Sequence, residues 1–186
     1  MRIIAGKYRG RRLKSPPSAQ TRPTSDRLRE TLFNVIAPQI EGARFLDLCA
    51  GTGAVGIEAL SRGATHATFV DKSRKMCAVI EANLAAPEID KRDFEVVAAE
   101  ASQFLRRACK QTERFDIVFF DPPYAADYEE VLSLPTQAEL LTKDAIVIVE
   151  HHKKKELPEE VGALKRYRVL KQGDSVLSFY RSSESA

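Results

Sequence analysis

The residues best suited to chemistry fall in two short segments. One is Asp121-Pro122-Pro123-Tyr124, which follows the apolar run Phe115 to Phe120. Two successive prolines stop a hydrogen-bonded ladder, and their fixed φ stiffens the loop. A stiff loop loses little entropy when a ligand orders it. The Asp121 carboxylate and the Pro122 carbonyl are acceptors, and the Tyr124 ring offers a stacking surface, a contact worth about 1–3 kcal/mol per base. Two acceptors that grip the protons of a planar –NH₂ group draw its lone pair out of conjugation. The nitrogen becomes more nucleophilic, and Asp121 is the first acceptor for the proton that leaves. Such catalysis rests mainly on alignment and preorganised polarity. The bland alternative is a rigid surface turn over a buried tyrosine.

The other segment is Asp47-Leu48-Cys49-Ala50-Gly51-Thr52-Gly53-Ala54-Val55-Gly56, placed between an apolar strand and a helix. Glycine permits positive φ and close approach of a ligand, and the start of a helix presents unpaired N–H groups. Gly51, Gly53 and Gly56 match the dinucleotide-type spacing, a weak signal by itself. Asp71 ends the next strand, where its carboxylate can accept from both hydroxyls of a ribose. These features imply a cofactor containing a nucleoside and leave a dinucleotide and adenosylmethionine both open. Asp47 suits a ligand with a cationic amino group and suits a pyrophosphate poorly; it also fits a simple turn cap. Glu100 follows the third strand, where an adenine edge can be read, or else is a solvated acid in a first helical turn.

The elements that must position these residues alternate. Apolar strands are expected at Phe45–Leu48, Ala67–Val70, Phe94–Val97, Phe115–Phe120 and Ala145–Val149. Helices are expected at Ala54–Arg62, Lys75–Ala86, Ala101–Cys109, Tyr128–Leu134 and Ala138–Leu141, with an earlier one from Ser25 carrying Leu28, Leu32, Val35 and Ile36. Near-continuous apolar strands separated by helices make a parallel sheet covered on both faces. Lys165–Leu170 and Ser175–Arg181 around Gly173 and Asp174 read as a closing hairpin. The expected division is a basic arm or hairpin over 1–24, one α/β domain over 25–182 and a frayed tail over 183–186.

The net charge of +3 hides an asymmetry. Residues 1–29 hold nine cations and one acid, leaving −5 for the rest. A basic edge on an acidic body points to a polyanion held on one face. The candidate phosphate contacts are Arg2, Lys7, Arg9, Arg11, Arg12, Lys14 and Arg27, with Arg29 helping. Lys153 and Lys154, in a lysine run past the fifth strand, are a second candidate patch. Cys49, Cys77 and Cys109 are widely spaced, which argues against a disulfide framework or a zinc site. The three histidines show no metal spacing, no stretch reads as a secretory signal, and no apolar run approaches membrane-spanning length. A soluble cytoplasmic monomer with no metal is the expectation.

With Thr21-Arg22-Pro23-Thr24-Ser25-Asp26-Arg27-Leu28-Arg29-Glu30, these segments resemble the bacterial methyltransferases that modify a guanine 2-amino group in small-subunit (16S) ribosomal RNA. The resemblance runs from Met1 through the last hairpin, and the Arg-Pro-Thr stretch is its most specific part. It implies a Rossmann-like class I methyltransferase fold: a seven-stranded, mostly parallel sheet with its last strand antiparallel, plus a short basic N-terminal extension. It implies S-adenosyl-L-methionine as methyl donor and a substrate within a small-subunit assembly particle. By position it assigns Asp121, Pro122 and Tyr124 to the target base. It assigns Asp47, Cys49, Gly51, Gly53, Asp71, Lys72, Glu100 and Ala101 to the cofactor, and Arg22, Pro23 and Thr24 to the segment leading to it. Glu100 departs from the short Asp or Asn usual at the adenine-reading position. The rival readings are an adenine-N6 methyltransferase on DNA or RNA, a nicotinamide-dependent oxidoreductase, and a non-catalytic RNA-binding assembly factor.

Overall fold

The computed structural model describes residues 1–15, 25–108, 114–123, 128–137 and 139–182. Helix α1 (Asp26–Ile40) starts where the Ser25 hydroxyl accepts from the Leu28 amide at 3.1 Å. It buries Leu28, Leu32, Phe33, Ile36 and Ile40, an apolar stripe recurring at three and four residues. Strand and helix then alternate through β1 (Arg44–Leu48), α2 (Ala54–Ser61), β2 (His66–Asp71), α3 (Arg74–Ala85), β3 (Phe94–Ala98) and α4 (Ala101–Ala108). They continue through β4 (Phe115–Phe120), α5 (Tyr128–Gln137) and β5 (Leu141–His152). The end is all strand: β6 (Glu160–Val161), β7 (Leu164–Gln172) and β8 (Ser175–Ser182).

The strands form one sheet in the order β3-β2-β1-β4-β5-β8-β7-β6. The first five pair in parallel; β5 with β8, β8 with β7, and β7 with β6 are antiparallel. This is the expected mostly parallel sheet with an antiparallel end, with eight strands instead of seven. The extra one, β6, is two residues long and pairs Val161 with Leu164, too short to leave a periodic signal. A second difference lies before β5. The helix expected at Ala138–Leu141 is absent where the chain is described: α5 runs on to Gln137, with Pro135 inside it, and Leu141 opens β5 opposite Phe115. The Phe115 amide donates to the Leu140 carbonyl at 2.7 Å, so those backbone groups serve the sheet rather than a helical turn.

Alternation along the strands splits the core in two. Phe45, Phe69, Ile117, Phe119, Ile148 and Phe179 pack with Ile36, Ile57 and Ile80 on the α1–α3 side. Leu46, Val70, Val118, Phe120, Val149 and Tyr180 pack with Phe104, Leu105 and Leu132 on the α4–α5 side. The chain goes outward from β1 to β2 and β3, then crosses to β4 and β5. The order therefore reverses between β1 and β4, and the carboxyl ends of those strands border the crevice where such sheets bind ligands.

Candidate active site

The loop after β1 is fixed by its own backbone. Cys49, Gly51 and Gly53 all have positive φ, +61°, +56° and +74°. Cys49 is the costly one, because a side chain disfavours that region. The Ala50 amide donates to the Val70 carbonyl at 3.0 Å, and the Gly53 amide to the Ala50 carbonyl at 2.8 Å. Gly53 then caps α2 in the left-handed conformation. Gly56 has a different task. A Cβ there would come within 2.3 Å of Phe69 Cε1, so its absence lets α2 lie against β2. Of the three glycines in the dinucleotide-like spacing, two shape the loop and one packs the helix.

Four carboxylates converge on this loop. Asp47 is 2% exposed, and its Oδ2 accepts from the Gly56 amide at 2.9 Å. Burial pushes its pKa up to about 7, against the opposing pull of that hydrogen bond; the nearby Asp71 charge adds to the rise. Asp71 accepts from the Gly51 amide at 2.9 Å and the Ser73 amide at 2.8 Å, which holds the end of β2 against the turn. Cys49 lies among Asp71, Asp121, Asp47 and Glu100, and burial with those charges raises its thiol pKa to about 12. It is therefore a neutral thiol and a poor nucleophile at physiological pH. Lys72 and Glu100 stand on the exposed rim, 3.5 Å apart as an ion pair, and Ala101 is buried at the first turn of α4.

Asp121 directly follows β4, and its amide donates to the Leu48 carbonyl at 3.3 Å. Strand alternation directs it to the same side of the sheet as Asp47 and Asp71. Its pKa is raised by burial first, then by Glu150, then by Asp47. Pro122 is buried and Pro123 exposed. Tyr124, Arg22, Pro23 and Thr24 lie outside the described residues. The sequence reading missed Glu150, which looks like a solvated acid at a strand end. Phe120 pairs with Val149, so Glu150 stands in the next row of the neighbouring parallel strand, beside Asp121, and is buried.

The basic N-terminal segment is docked rather than loose. Arg2 and Arg12 form an antiparallel bridge, and Ile3 and Leu13 enter the core. The fully buried Glu58 of α2 accepts from the Ile4 and Ala5 amides at 2.8 and 2.9 Å. Ser61 accepts from the amides of Lys7 and Tyr8. Asn83 of α3 bridges Lys14 and the Thr52 carbonyl, which ties the segment to the glycine loop. Lys7, Arg9, Arg11, Arg12, Lys14 and Arg27 stay exposed. Arg2 is exposed and 3.7 Å from Asp26.

Arg29 is a correction. It is fully buried, donates to Asp26 at 3.0 Å and to the Arg2 carbonyl, and lies 3.9 Å from Glu58, so it cannot grip phosphate. Those acids also offset the cost of a cation at the N-terminal end of α1. In the second basic patch, Lys153 pairs with Asp174 at 2.8 Å and Lys154 is exposed. His151 is buried against the Ser178 hydroxyl at 2.9 Å, inside the sheet rather than on the surface. Cys49 and Cys77 are free thiols, and no His/Cys/Asp/Glu group able to hold a metal occurs among the described residues. No described helix is long and apolar enough to cross a membrane.

The rim suits one kind of cofactor. An acidic row with two carboxylates already satisfied by backbone donors accepts hydroxyls and cations and repels a pyrophosphate. This donor set fits S-adenosylmethionine and fits a dinucleotide poorly.

The family described as Conserved hypothetical protein 95 matches residues 1–181 of the chain. The Ribosomal RNA small subunit methyltransferase D of Escherichia coli K12 is 42% identical over 159 residues, 85% of this chain and 78% of its own. That of Haemophilus influenzae is 38% identical over 168 residues, 89% of this chain and 86% of its own. Among solved structures, yhhF of Escherichia coli superposes with a TM-score of 0.85 at 35% identity, covering 98% of this chain and 97% of the other.

Proposed function

The chain belongs to the family described as Conserved hypothetical protein 95, and from that premise we propose that it methylates ribosomal RNA, with S-adenosylmethionine as donor and a guanine 2-amino group of small-subunit RNA as acceptor. The observation that carries the reading is the placement of Asp121 beside the glycine loop, on the same side of the sheet as Asp47 and Asp71. Two relatives at 38% and 42% identity carry the name Ribosomal RNA small subunit methyltransferase D, which supports the substrate class.

When bound, S-adenosylmethionine supplies a methyl carbon on a cationic sulfur. Asp71 takes the ribose hydroxyls on the lone pairs that the Gly51 and Ser73 amides leave unused. Asp47 shapes the loop through Gly56 and offers a carboxyl acceptor toward the amino group. Glu100 and Lys72 edge the adenine side, and Arg22, Pro23 and Thr24 belong to the segment leading to the cofactor. Asp121 and the Pro122 carbonyl hold the target amine, with Tyr124 stacked on the base.

On methylation of the target amine, its departing N–H proton would pass to the Asp121 carboxylate. Its raised proton affinity makes that carboxylate a better acceptor than an exposed one. The base must leave its stack to reach this point. The exposed cations of residues 2–14 with Arg27 hold the surrounding phosphates, helped by Lys153 and Lys154. The protein works as a cytoplasmic monomer on a partly assembled small subunit.

The test is to incubate the protein with labelled S-adenosylmethionine and small-subunit particles that lack the modification, then map the labelled nucleotide by mass. Label on guanine N2 is expected. Label on an adenine N6, or cofactor binding without transfer to either RNA or particle, overturns the reading.

A further inference from the structure

Strand β7 carries Lys165, Arg166, Arg168 and Lys171 and no acid. Lys165 and Arg166 are engaged with Glu160 and Glu159 at 3.4 and 3.9 Å. Arg168 and Lys171 are exposed, with no ion pair among the described residues. The two exposed large hydrophobics among those residues, Tyr167 at 43% and Val169 at 40%, are interleaved with these cations on the same strand. Arg181 of β8 lies over the Tyr167 ring, 4.6 Å from its centre, so the ring is already backed by a guanidinium. The partner β6 reaches only to Lys165, and the Arg166 amide donates to the Glu159 carbonyl at 2.7 Å, which leaves the outer edge of β7 from Tyr167 onward without a strand partner among the described residues. Charge alone would blunt such an edge against aggregation. An aromatic ring that packs against Phe179 at 6.2 Å and against a guanidinium, yet stays 43% exposed, is not needed for that purpose, and an exposed ring of this kind can stack bases.

The position matters as much as the composition. Gln172 pairs with Ser175, which pairs with His152, and the Lys153 amide donates to the Asp174 carbonyl at 2.8 Å. The Lys171 end of β7 is therefore level with the carboxyl end of β5, where Glu150 stands. The sheet order puts three strand spacings, about 14 Å, between β7 and the β4 strand that leads to Asp121. The N-terminal segment sits instead on α2, over the β1–β2 side.

We propose that β7 is a second RNA-contact surface, in which Arg168 and Lys171 hold phosphates of the strand flanking the target nucleotide and Tyr167, backed by Arg181, stacks one of its bases. The inference rests on RNA being the substrate. An acidic catalytic mouth would then lie between two basic holds, and the flanking RNA would be gripped on both sides of the extruded base.

The test uses Arg168→Ala/Lys171→Ala, Tyr167→Ala and Tyr167→Phe, with Lys91→Ala/Arg107→Ala as a control of equal charge loss. Thermal midpoints check folding. Methylation of unmodified small-subunit particles is measured beside filter binding of bare small-subunit ribosomal RNA.

The Arg168/Lys171 variant should raise the KM for particles and weaken bare-RNA binding, at least fivefold each, with kcat and cofactor affinity unchanged. Its salt slope should fall by about 1.5. Tyr167→Ala should weaken RNA binding about five- to 150-fold, and Tyr167→Phe should restore it. The proposal is overturned if KM and salt slope stay at wild-type values, or if the control loses as much. It is also overturned if particle KM rises while bare-RNA binding does not, which would mark a protein contact. If no methylation occurs at all, the functional reading fails separately, and bare-RNA binding still decides for or against β7.

Discussion

The carboxyl rim and the N-terminal segment handle charge in opposite ways. At the rim the backbone serves the carboxylates: the Gly56 amide donates to the buried Asp47, and the Gly51 and Ser73 amides to the half-buried Asp71. In the N-terminal segment the charges are left in water, and buried side chains serve the backbone. Glu58 takes the Ile4 and Ala5 amides, and Ser61 takes Tyr8. A buried carboxylate acquires an altered proton affinity and a fixed direction, which suits chemistry at one atom. An exposed cation keeps its charge and its freedom, which suits a long polyanion whose contacts need not be identical from one phosphate to the next.

The comparison breaks most severely at Glu58. Replacing it by Ala leaves Arg29 buried beside a lost partner and two backbone amides unserved. The expected cost is about 3–5 kcal/mol of stability, read as a lowered denaturation midpoint, with faster hydrogen exchange at Ile4 and Ala5. A midpoint within 1 °C of wild type would show that the apolar anchors Ile3 and Leu13, with Ser61 and Asn83, hold the segment without Glu58.

At the rim, Asp121→Ala should lower methyl transfer about 10²- to 10³-fold, as for loss of one preorganised polar group. S-adenosylmethionine affinity should stay largely intact, because Asp121 is proposed to touch the amine and not the cofactor. Turnover measured beside a calorimetric titration separates the two, and near-normal turnover would remove Asp121 from the mechanism.

What was readable in advance follows the same division. The glycine loop, Asp71 and the Asp-Pro-Pro turn announce themselves because their signals are local: a strand, a turn residue and an acid within a few positions. Arg29 reads as one more exposed cation, and Asp26, the Arg2 carbonyl and Glu58 on another helix together hold it inward. Glu150 looks like a strand-end acid until the register sets it beside Asp121. Asn83 carries no signal at all, since its role comes from joining Lys14 to Thr52 across three segments. β6 is missed because two residues hold no period, and β5 is longer than its apolar centre because pairing with β4 and β8 extends it.

Asp47 allows the rim to be probed without substrate. Its folded pKa, about 7, lies above the usual carboxylate value, so the fold binds its proton more tightly than the unfolded chain does. The stability from this group is complete below about pH 4 and is lost as pH rises to about 7, a change of a few kcal/mol. Asp47→Asn keeps an acceptor for Gly56 and cannot titrate. Urea midpoints of wild type minus variant should therefore fall between pH 4 and 7. A difference that stays flat across that window would show that the carboxylate is ionised throughout and that its burial is offset by donors.

The smallest effect sharpens the other half. Replacing Arg9, Arg11 and Arg12 by Ala should leave the fold and the cofactor titration unchanged, since all three side chains are exposed. It should weaken binding of small-subunit ribosomal RNA and lower the slope of log K against log salt by about 2–3, close to one per phosphate contact removed. The slope is the informative quantity. A loss of affinity with an unchanged slope would mean that the arginines act through shape or hydrogen bonding to bases. The N-terminal segment would then resemble the rim, in fixing particular atoms, more than it resembles a field of mobile charge.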